Sequence, residues 1–259
     1  MPGSVLTEAS SFRRRLQRGD PLLGTFIKSP GVQAIEILGN VGLDFVVIDA
    51  EHAPWDRSAI DLALLAARAS GIDALVRVEN MATMLTALDS GATGVLVPHV
   101  SSPQIAQDVV DACRYRPGRR GFSNSTRAGC YGRLGLSAHI KASDSHTTVI
   151  AMLEDPQAID CIEDIVAVEG IDAFFLGRGD LTVALGEVSV DAAAVRTAIA
   201  RFVTAVTHVN KTLCAFVNSS TEITPLRQLG VTSFIVSSEQ GLLRQAATLE
   251  LAKFGEQPI

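Results

Sequence analysis

The sequence predicts a (β/α)8 TIM barrel, an α/β fold in a single domain, and three observations carry that prediction. Short Val- and Ile-rich runs alternate with longer stretches whose apolar residues recur at helical spacing, eight times over about 235 residues. A length of 259 residues suits one such barrel without division into smaller domains. Charged residues gather directly after the apolar runs, where a parallel sheet presents its carboxyl edge. A doubly wound sheet is the structural alternative, and the count of eight units favours the barrel.

Residues 1–20 read as a polar lead-in containing Arg13, Arg14 and Arg15, and 22–27 as the first strand. Pro30 and Gly31 punctuate it before a helix over 32–38, which Gly39 and Gly42 end. The second strand, 45–49, is a continuous apolar run, the pattern of a strand buried on both faces. It turns into Asp49, Glu51 and His52 within four residues and is closed by Pro54. A helix over 58–70 puts Ile60, Leu64 and Ala67 on one stripe and stops at Gly71.

Strand three is expected at 74–78 with its helix at about 82–90, and strand four at 94–97 with its helix at 103–112. The rhythm then pauses over 115–144, a stretch rich in Gly, Ser, Asn and Arg. Connections of that length are uncommon and often functional, and part of this one can be helical. Strand five follows at 148–154 with a helix at 156–168, and strand six at 173–177 with a long helix at 191–209. Strand seven is expected at 213–217 with a helix at 222–229, and strand eight at 234–236 before a last helix at 240–254.

A hydrophobic fraction of 47% implies an extensive core. A net charge of −6 argues against a nucleic-acid partner and against adhesion to acidic membranes. The four cysteines have no C-x-x-C spacing, which suits reduced thiols rather than a disulfide or zinc framework. The arginines of the lead-in are not followed by an apolar stretch of the secretory kind. The expectation is a soluble cytoplasmic protein.

In a barrel, chemistry collects where strands end. Strand two offers Asp49, Glu51 and His52, strand three Arg77 and Glu79, strand four His99, and strand five Glu154 and Asp155. Strand six offers Gly177-Arg178-Gly179-Asp180, while strands seven and eight offer Asn218, Ser237 and Ser238. Glu154 and Asp180 suit a hard divalent cation, because two carboxylates leave positions for water and substrate oxygens. Either alone could equally cap the next helix. Arg77 sits in an otherwise apolar strand and needs an anion, from a neighbouring carboxylate or a substrate. His52, beside two carboxylates, suits a general base. Arg114, Arg116, Arg119 and Arg120 read as a solvated basic cluster. Neither G-x-G-x-x-G after the first strand nor a P-loop is present.

Seven motifs occur in order: Ile48-Asp49-Ala50-Glu51-His52-Ala53-Pro54, Val76-Arg77-Val78, Leu88-Asp89-Ser90-Gly91-Ala92, Arg120-Gly121-Phe122, Leu153-Glu154, Val168-Glu169-Gly170-Ile171-Asp172 and Gly177-x-x-Asp180-Leu181. With them the chain, from Gly24 to about Phe254, resembles the HpcH/HpaI aldolases, class II metal-dependent pyruvate aldolases of the phosphoenolpyruvate/pyruvate barrel superfamily. The resemblance implies cleavage of a 4-hydroxy-2-oxo acid to pyruvate and an aldehyde through a metal-bound pyruvate enolate. Glu154 and Asp180 would ligate the divalent metal (Mg2+, Mn2+ or Co2+), and backbone N–H groups near Gly177, Gly179 and Asp180 would hold the pyruvate carboxylate.

On the same resemblance Arg77 would stabilise the enolate oxygen. His52, paired with Asp89, would be the acid/base, and Asp49 and Glu51 would order the metal's water. Ser125 is a loose aldehyde-side candidate. No Schiff-base lysine is expected at the strand ends, Lys141 in the long segment being the nearest. A homo-oligomer, a hexamer built from dimers, is implied too, with the helix at 240–254 in its contacts. Arg178 departs from the family's usual proline, which could loosen its loop, recognise a distal carboxylate or point to solvent. The alternatives are another pyruvate-enolate enzyme, such as an oxaloacetate decarboxylase or a citramalyl-type lyase, and a non-catalytic barrel subunit.

Overall fold

The computed structural model describes residues 11–255. The first ten residues of the lead-in and the last four of the chain lie outside the described residues. The remainder of the lead-in corrects the sequence reading, because it contains a helix, α1 (Phe12–Gln17). The Ser11 hydroxyl accepts from the Arg14 N–H and caps it. Phe12 and Leu16 are buried in the barrel interior, and the Phe12 ring lies 5.2 Å from that of Phe45. Arg13 donates to Asp172 at 2.9 Å, tying α1 to the strand ends at the amino-terminal face. Six residues with three arginines carry no local helical period. Tertiary burial of two side chains holds this helix.

Strand β1 (Leu22–Ile27) leads to α2 (Gln33–Val41), β2 (Phe45–Asp49), α3 (Arg57–Ser70), β3 (Asp73–Arg77), α4 (Met81–Asp89), β4 (Gly94–Val97) and α5 (Pro103–Cys113). After α6 (Leu136–His146) come β5 (Thr148–Leu153), α7 (Gln157–Asp160), α8 (Ile162–Ala167) and β6 (Ala173–Leu176). Then follow α9 (Arg178–Ala184), α10 (Ala193–His208), β7 (Thr212–Val217), α11 (Ile223–Gln228), β8 (Val231–Ser238) and α12 (Glu239–Gly255). Each strand pairs in parallel with the next and β8 returns to β1, so the eight strands close a barrel in chain order. The predicted (β/α)8 fold is the fold observed.

Alternate residues point inward and fill the barrel. Phe26, Val47, Leu75, Leu96, Ile150, Met152, Phe175 and Ile235 belong to this inner core, distinct from the core between sheet and helices. Gly24 is inward too, and the Phe45 ring takes the space its side chain would use. A Cβ there would lie 2.6 Å from the ring.

Several boundaries moved for identifiable reasons. Helix α2 continues through Gly39, where Ser70 Cβ would lie 2.8 Å from any added Cβ, and stops at Gly42 in the left-handed region (φ 95°). The helix expected over 156–168 is broken at Cys161, whose φ of −126° and ψ of 24° leave the helical region. Strand β8 extends well beyond 234–236, because ladder hydrogen bonds to β1 and β7 override its polar residues. Helix α9 was not legible; its seven residues begin at Arg178, inside the loop read after strand six.

The long segment between α5 and β5 contains a 3-10 turn over Arg127–Gly132 as well as α6. A helix-to-strand connection lies at the amino-terminal face, opposite the mouth. There it helps enclose a cavity of about 380 Å³ lined by Asp73, Thr93, Arg120, Cys130 and Thr147. Helix α12 buries no residue within the chain. Among the described residues no helix is long and apolar enough to cross a membrane.

Candidate active site

Strand β2 delivers Asp49 fully buried at its carboxyl end. Arg77, the last residue of β3 and Asp49's partner in the ladder, donates from Nε to Asp49 Oδ1 at 2.8 Å and from Nη2 to Oδ2 at 2.7 Å. Lys28 Nζ stands 2.8 Å from Asp49 Oδ2, and the His52 backbone N–H donates to Oδ1 at 3.2 Å. Burial alone would push the Asp49 carboxyl up, but Arg77, Lys28 and the His52 N–H outweigh it and hold it at about 2. The bidentate fork fixes the guanidinium plane. Phe26 backs it with a ring centroid 4.7 Å from Arg77 Cζ.

This arrangement makes a pH prediction. An unfolded aspartate titrates near 3.8, above the folded value, so Asp49 contributes stability above that pH that is lost as pH falls toward about 2. The contribution is about 2 kcal/mol from the shift. Urea midpoints of the wild type and Asp49→Asn are expected to converge as pH drops through this window. A gap independent of pH would contradict the assignment.

Glu51 stands between three cationic or titratable groups. Its carboxylate lies 3.4 Å from Arg77 Nε, 3.6 Å from His52 Nε2 and 3.8 Å from His99 Nε2. The His52 ring is about half exposed, in reach of a ligand entering the mouth. Trp55 donates its indole N–H to the Ile27 carbonyl at 3.1 Å and pins the loop carrying His52 to the end of β1. Glu79 is exposed beside Asn80.

Glu154, directly after β5, is 2% exposed. Its Oε1 accepts from the His99 backbone N–H at 2.9 Å, whereas Oε2 is buried and has no partner. Burial, with the negative charges of Asp180 and Glu51 nearby, pushes this carboxyl up to about 7 against the opposing pull of the His99 N–H and ring. Gly177 makes room for it, since a Cβ at 177 would lie 2.5 Å from Oε2. Asp180 is exposed in the first turn of α9. His99 holds a left-handed backbone (φ 56°), and its Nδ1 lies 3.3 Å from Asp155. Burial opposes its protonation, but Glu154, Asp155 and Glu51 together raise its pKa.

Among the described residues no three His, Cys, Asp or Glu side chains converge to hold a metal unaided. A buried carboxylate oxygen without a partner, on a group that feels the charge of a second carboxylate, nevertheless fits a hard cation that completes its shell with water and substrate oxygens.

Three expectations are corrected. His52 does not meet Asp89 within one chain. Asp89 is the last residue of α4, which runs from the mouth back to the amino-terminal face, and it pairs there with Arg120 Nη2 at 2.9 Å. Ser125 belongs to the helix-to-strand connection at that same face, with its hydroxyl 3.2 Å from that of Ser123, so it does not line the mouth of its own barrel. A lysine does stand at a strand end. Lys28 follows β1 directly and lines the mouth cavity of about 300 Å³ with Arg77, Met152, Gly177, Gly179 and Asp180. The two-residue alternation Leu22, Gly24, Phe26, Lys28 was the signal that could have found it.

Asp49 serves as the clamp for Arg77 and Lys28; no hydrogen bond or ion pair joins it to Glu154 or Asp180 among the described residues. Arg178, in place of proline, donates to the Phe216 carbonyl at 3.0 Å and to Glu222 at 2.9 Å. It therefore joins the loops after β6 and β7 rather than loosening them or pointing to solvent. Of the basic cluster, Arg114 and Arg120 are buried in structural contacts, while Arg119 is exposed with Asp108.

Comparison with known proteins matches residues 22–245 to the profile of the HpcH/HpaI aldolase/citrate lyase family. The hydroxypyruvate/pyruvate aldolase of Roseobacter denitrificans is 34% identical over 68% of this chain and 70% of its own. The 4-hydroxy-2-oxovalerate aldolase of Novosphingobium aromaticivorans is 36% identical over 70% of this chain and 69% of its own. A crystal structure of an HpcH/HpaI aldolase/citrate lyase family protein from Burkholderia cenocepacia superposes with a TM-score of 0.89 at 27% identity, covering 94% of this chain and 98% of that one.

Proposed function

Because the chain belongs to the HpcH/HpaI aldolase/citrate lyase family and is a carbon–carbon lyase of the aldolase kind, we propose that it cleaves a 4-hydroxy-2-oxo acid to pyruvate and an aldehyde with a divalent cation. The observation that carries this reading is the buried Glu154 Oε2, which has no partner, on a carboxyl that feels the charge of Asp180, at the mouth that Asp180 and the clamped Arg77 line. Glu154 and Asp180 would hold the cation, which when bound supplies Lewis-acid polarisation of the substrate's 2-oxo group.

The protein's own groups do the rest. Gly179 and Asp180 line the cavity in the first turn of α9, where intrahelical partners are lacking, and their N–H groups would bind the C1 carboxylate. Arg77 spends one Nε and one Nη2 hydrogen on Asp49 and keeps its remaining donors for the 2-oxo oxygen. His52, with Glu51 beside it, takes the proton from the C4 hydroxyl. The C3–C4 bond breaks, the aldehyde leaves, and the electron pair delocalises onto the oxygen that Arg77 faces. Return of that proton from His52 to C3 then releases pyruvate. Phe26, Met152, Phe175 and Phe216 keep the inner wall apolar, which strengthens the charge interactions above it.

Pyruvate release coupled to lactate dehydrogenase, with and without EDTA, tests the reading. Activity on 4-hydroxy-2-oxo acids is expected to vanish with EDTA and return with Mg2+ or Mn2+. Turnover that survives chelation would rule out the metal-dependent route. Exchange of pyruvate methyl protons without aldol cleavage would favour the oxaloacetate decarboxylase or lyase alternative.

Assembly follows from α12. Leu243, Leu249, Leu251 and Phe254 are exposed by 61–73% within one chain, apolar side chains that a monomer would leave in water. The proposed state is a homo-oligomer in which another copy covers α12. Light scattering should show a multimer that Leu249→Glu/Phe254→Glu reduces to smaller species; a wild-type monomer would contradict it.

A further inference from the structure

Lys28 takes no part in the steps proposed above, although it lines the same cavity as Arg77. Its Nζ lies 2.8 Å from Asp49 Oδ2, the oxygen that also accepts from Arg77 Nη2 at 2.7 Å. Two nitrogens on one oxygen are neighbours, so the ammonium stands beside the guanidinium assigned to the 2-oxo oxygen. Its backbone is fixed from behind, since Glu239 at the start of α12 accepts from the Lys28 N–H at 2.9 Å and from that of Ser29 at 2.6 Å. Lys28 gives Asp49 one contact, and an ammonium has three donors, so two are left for a ligand.

The charge balance gives that ammonium a use. Asp49 stays ionised although buried, its carboxyl being held at about 2. The bidentate pair of Arg77 and Asp49 is therefore neutral as a unit. Alone it offers little net charge to an oxygen on which negative charge builds. Lys28 makes the three groups net positive. Glu51, 3.4 Å from Arg77 Nε, opposes them, and the Lys28 charge is needed all the more for it. Lys28, Asp49 and Arg77 come from the ends of β1, β2 and β3, neighbours in the closed barrel, while Glu154 and Asp180 follow β5 and β6 on the other side of the mouth. A 2-oxo group bound between the two sides meets Lys28 and Arg77 together.

We infer that Lys28 is a second donor to the 2-oxo oxygen, acting with Arg77 to hold the enolate charge as the C3–C4 bond breaks. This deepens the aldolase reading and rests on it. The electron pair of the broken bond moves onto the 2-oxo oxygen. Lys28 keeps its proton throughout and forms no covalent bond, so its contribution to catalysis is electrostatic.

The test compares oxalate with pyruvate by calorimetry with Mg2+ present. Oxalate carries an anionic oxygen where the enolate oxygen of pyruvate forms, whereas pyruvate itself reports the ground state. Lys28→Met is expected to weaken oxalate about tenfold or more, the worth of one charge-assisted contact, and pyruvate by less than about threefold. Its kcat on a 4-hydroxy-2-oxo acid should fall about 100-fold with KM little changed, the pattern of a contact made in the transition state. Lys28→Arg, which keeps the charge, should retain most of the oxalate affinity. Lys28→Gln can still donate to Asp49 but should behave as Lys28→Met does, and it decides the matter if Lys28→Met does not fold. The inference is overturned if these two variants weaken oxalate and pyruvate equally, the behaviour of a mere prop for Asp49, or if they leave kcat unchanged. Either result in a protein whose wild type binds both ligands sinks only this inference. A wild type that binds neither sinks the aldolase reading with it.

Discussion

Arg77→Ala is expected to lower kcat on a 4-hydroxy-2-oxo acid by about 100- to 1,000-fold, the usual loss when one preorganised oxyanion donor is removed. The same substitution is expected to destabilise the fold by about 3–5 kcal/mol, because it strips a buried carboxylate of its bidentate partner. Asp49 is wholly buried, and Lys28 alone cannot replace two hydrogen bonds from a planar fork. Arg77→Lys should therefore rescue little of either property, since an ammonium cannot grip both carboxylate oxygens and still reach the substrate.

The two effects can be separated with a second change. Arg77→Met combined with Asp49→Leu removes both charges and should regain much of the stability while leaving turnover low. Urea denaturation and steady-state kinetics on these variants read the two losses independently. Wild-type rates in Arg77→Ala would refute its role at the 2-oxo oxygen.

Glu154→Gln is the second large effect. It preserves shape and the acceptor for the His99 N–H but removes the charge that would hold a cation. The wild type should gain about 2.7 kcal/mol of apparent stability at a Mg2+ concentration of 100 times Kd, seen as a rise in melting temperature. Glu154→Gln should show no such rise. Its turnover should fall by about 1,000-fold or more, since Lewis-acid stabilisation is worth several kcal/mol. Without metal, the variant should melt higher than the wild type at alkaline pH, because the native carboxylate is buried with one oxygen unpartnered. A wild-type protein indifferent to divalent cations would remove Glu154 and Asp180 from the metal role.

Much of this was legible in the chain. The eight apolar runs could be placed because parallel barrel strands are buried on both faces and leave an uninterrupted signature. Asp49, Arg77 and Glu154 stood out because each ends such a run, and the structure brings the first two into one bidentate pair. Helix α1 is not legible in the chain because nothing local marks it; Phe12 and Leu16 matter only once a barrel exists for them to close. Lys28 is hard to read from the chain because a lone lysine after a strand is ordinarily a surface residue, and only inward parity shows that it is not. His52 and Asp89 do not meet within one chain for a topological reason. A helix that leaves the mouth must end at the opposite face.

The amino-acid sequence by itself determined the class of fold, the strand ends at which the charged residues gather and the family to which those motifs belong. These are properties of period and order along the chain, set by local backbone geometry and by which side chains avoid water. Tertiary structure alone decided which of those charges touch. It committed Asp49 to Arg77 and Lys28, left one oxygen of Glu154 without a partner, drew Arg178 onto Glu222 and carried Asp89 and Ser125 to the far end of the barrel. Those outcomes depend on distances of a few ångströms between residues far apart in sequence. Coulombic and hydrogen-bonding energies change steeply over such distances, and no pattern along a chain encodes them.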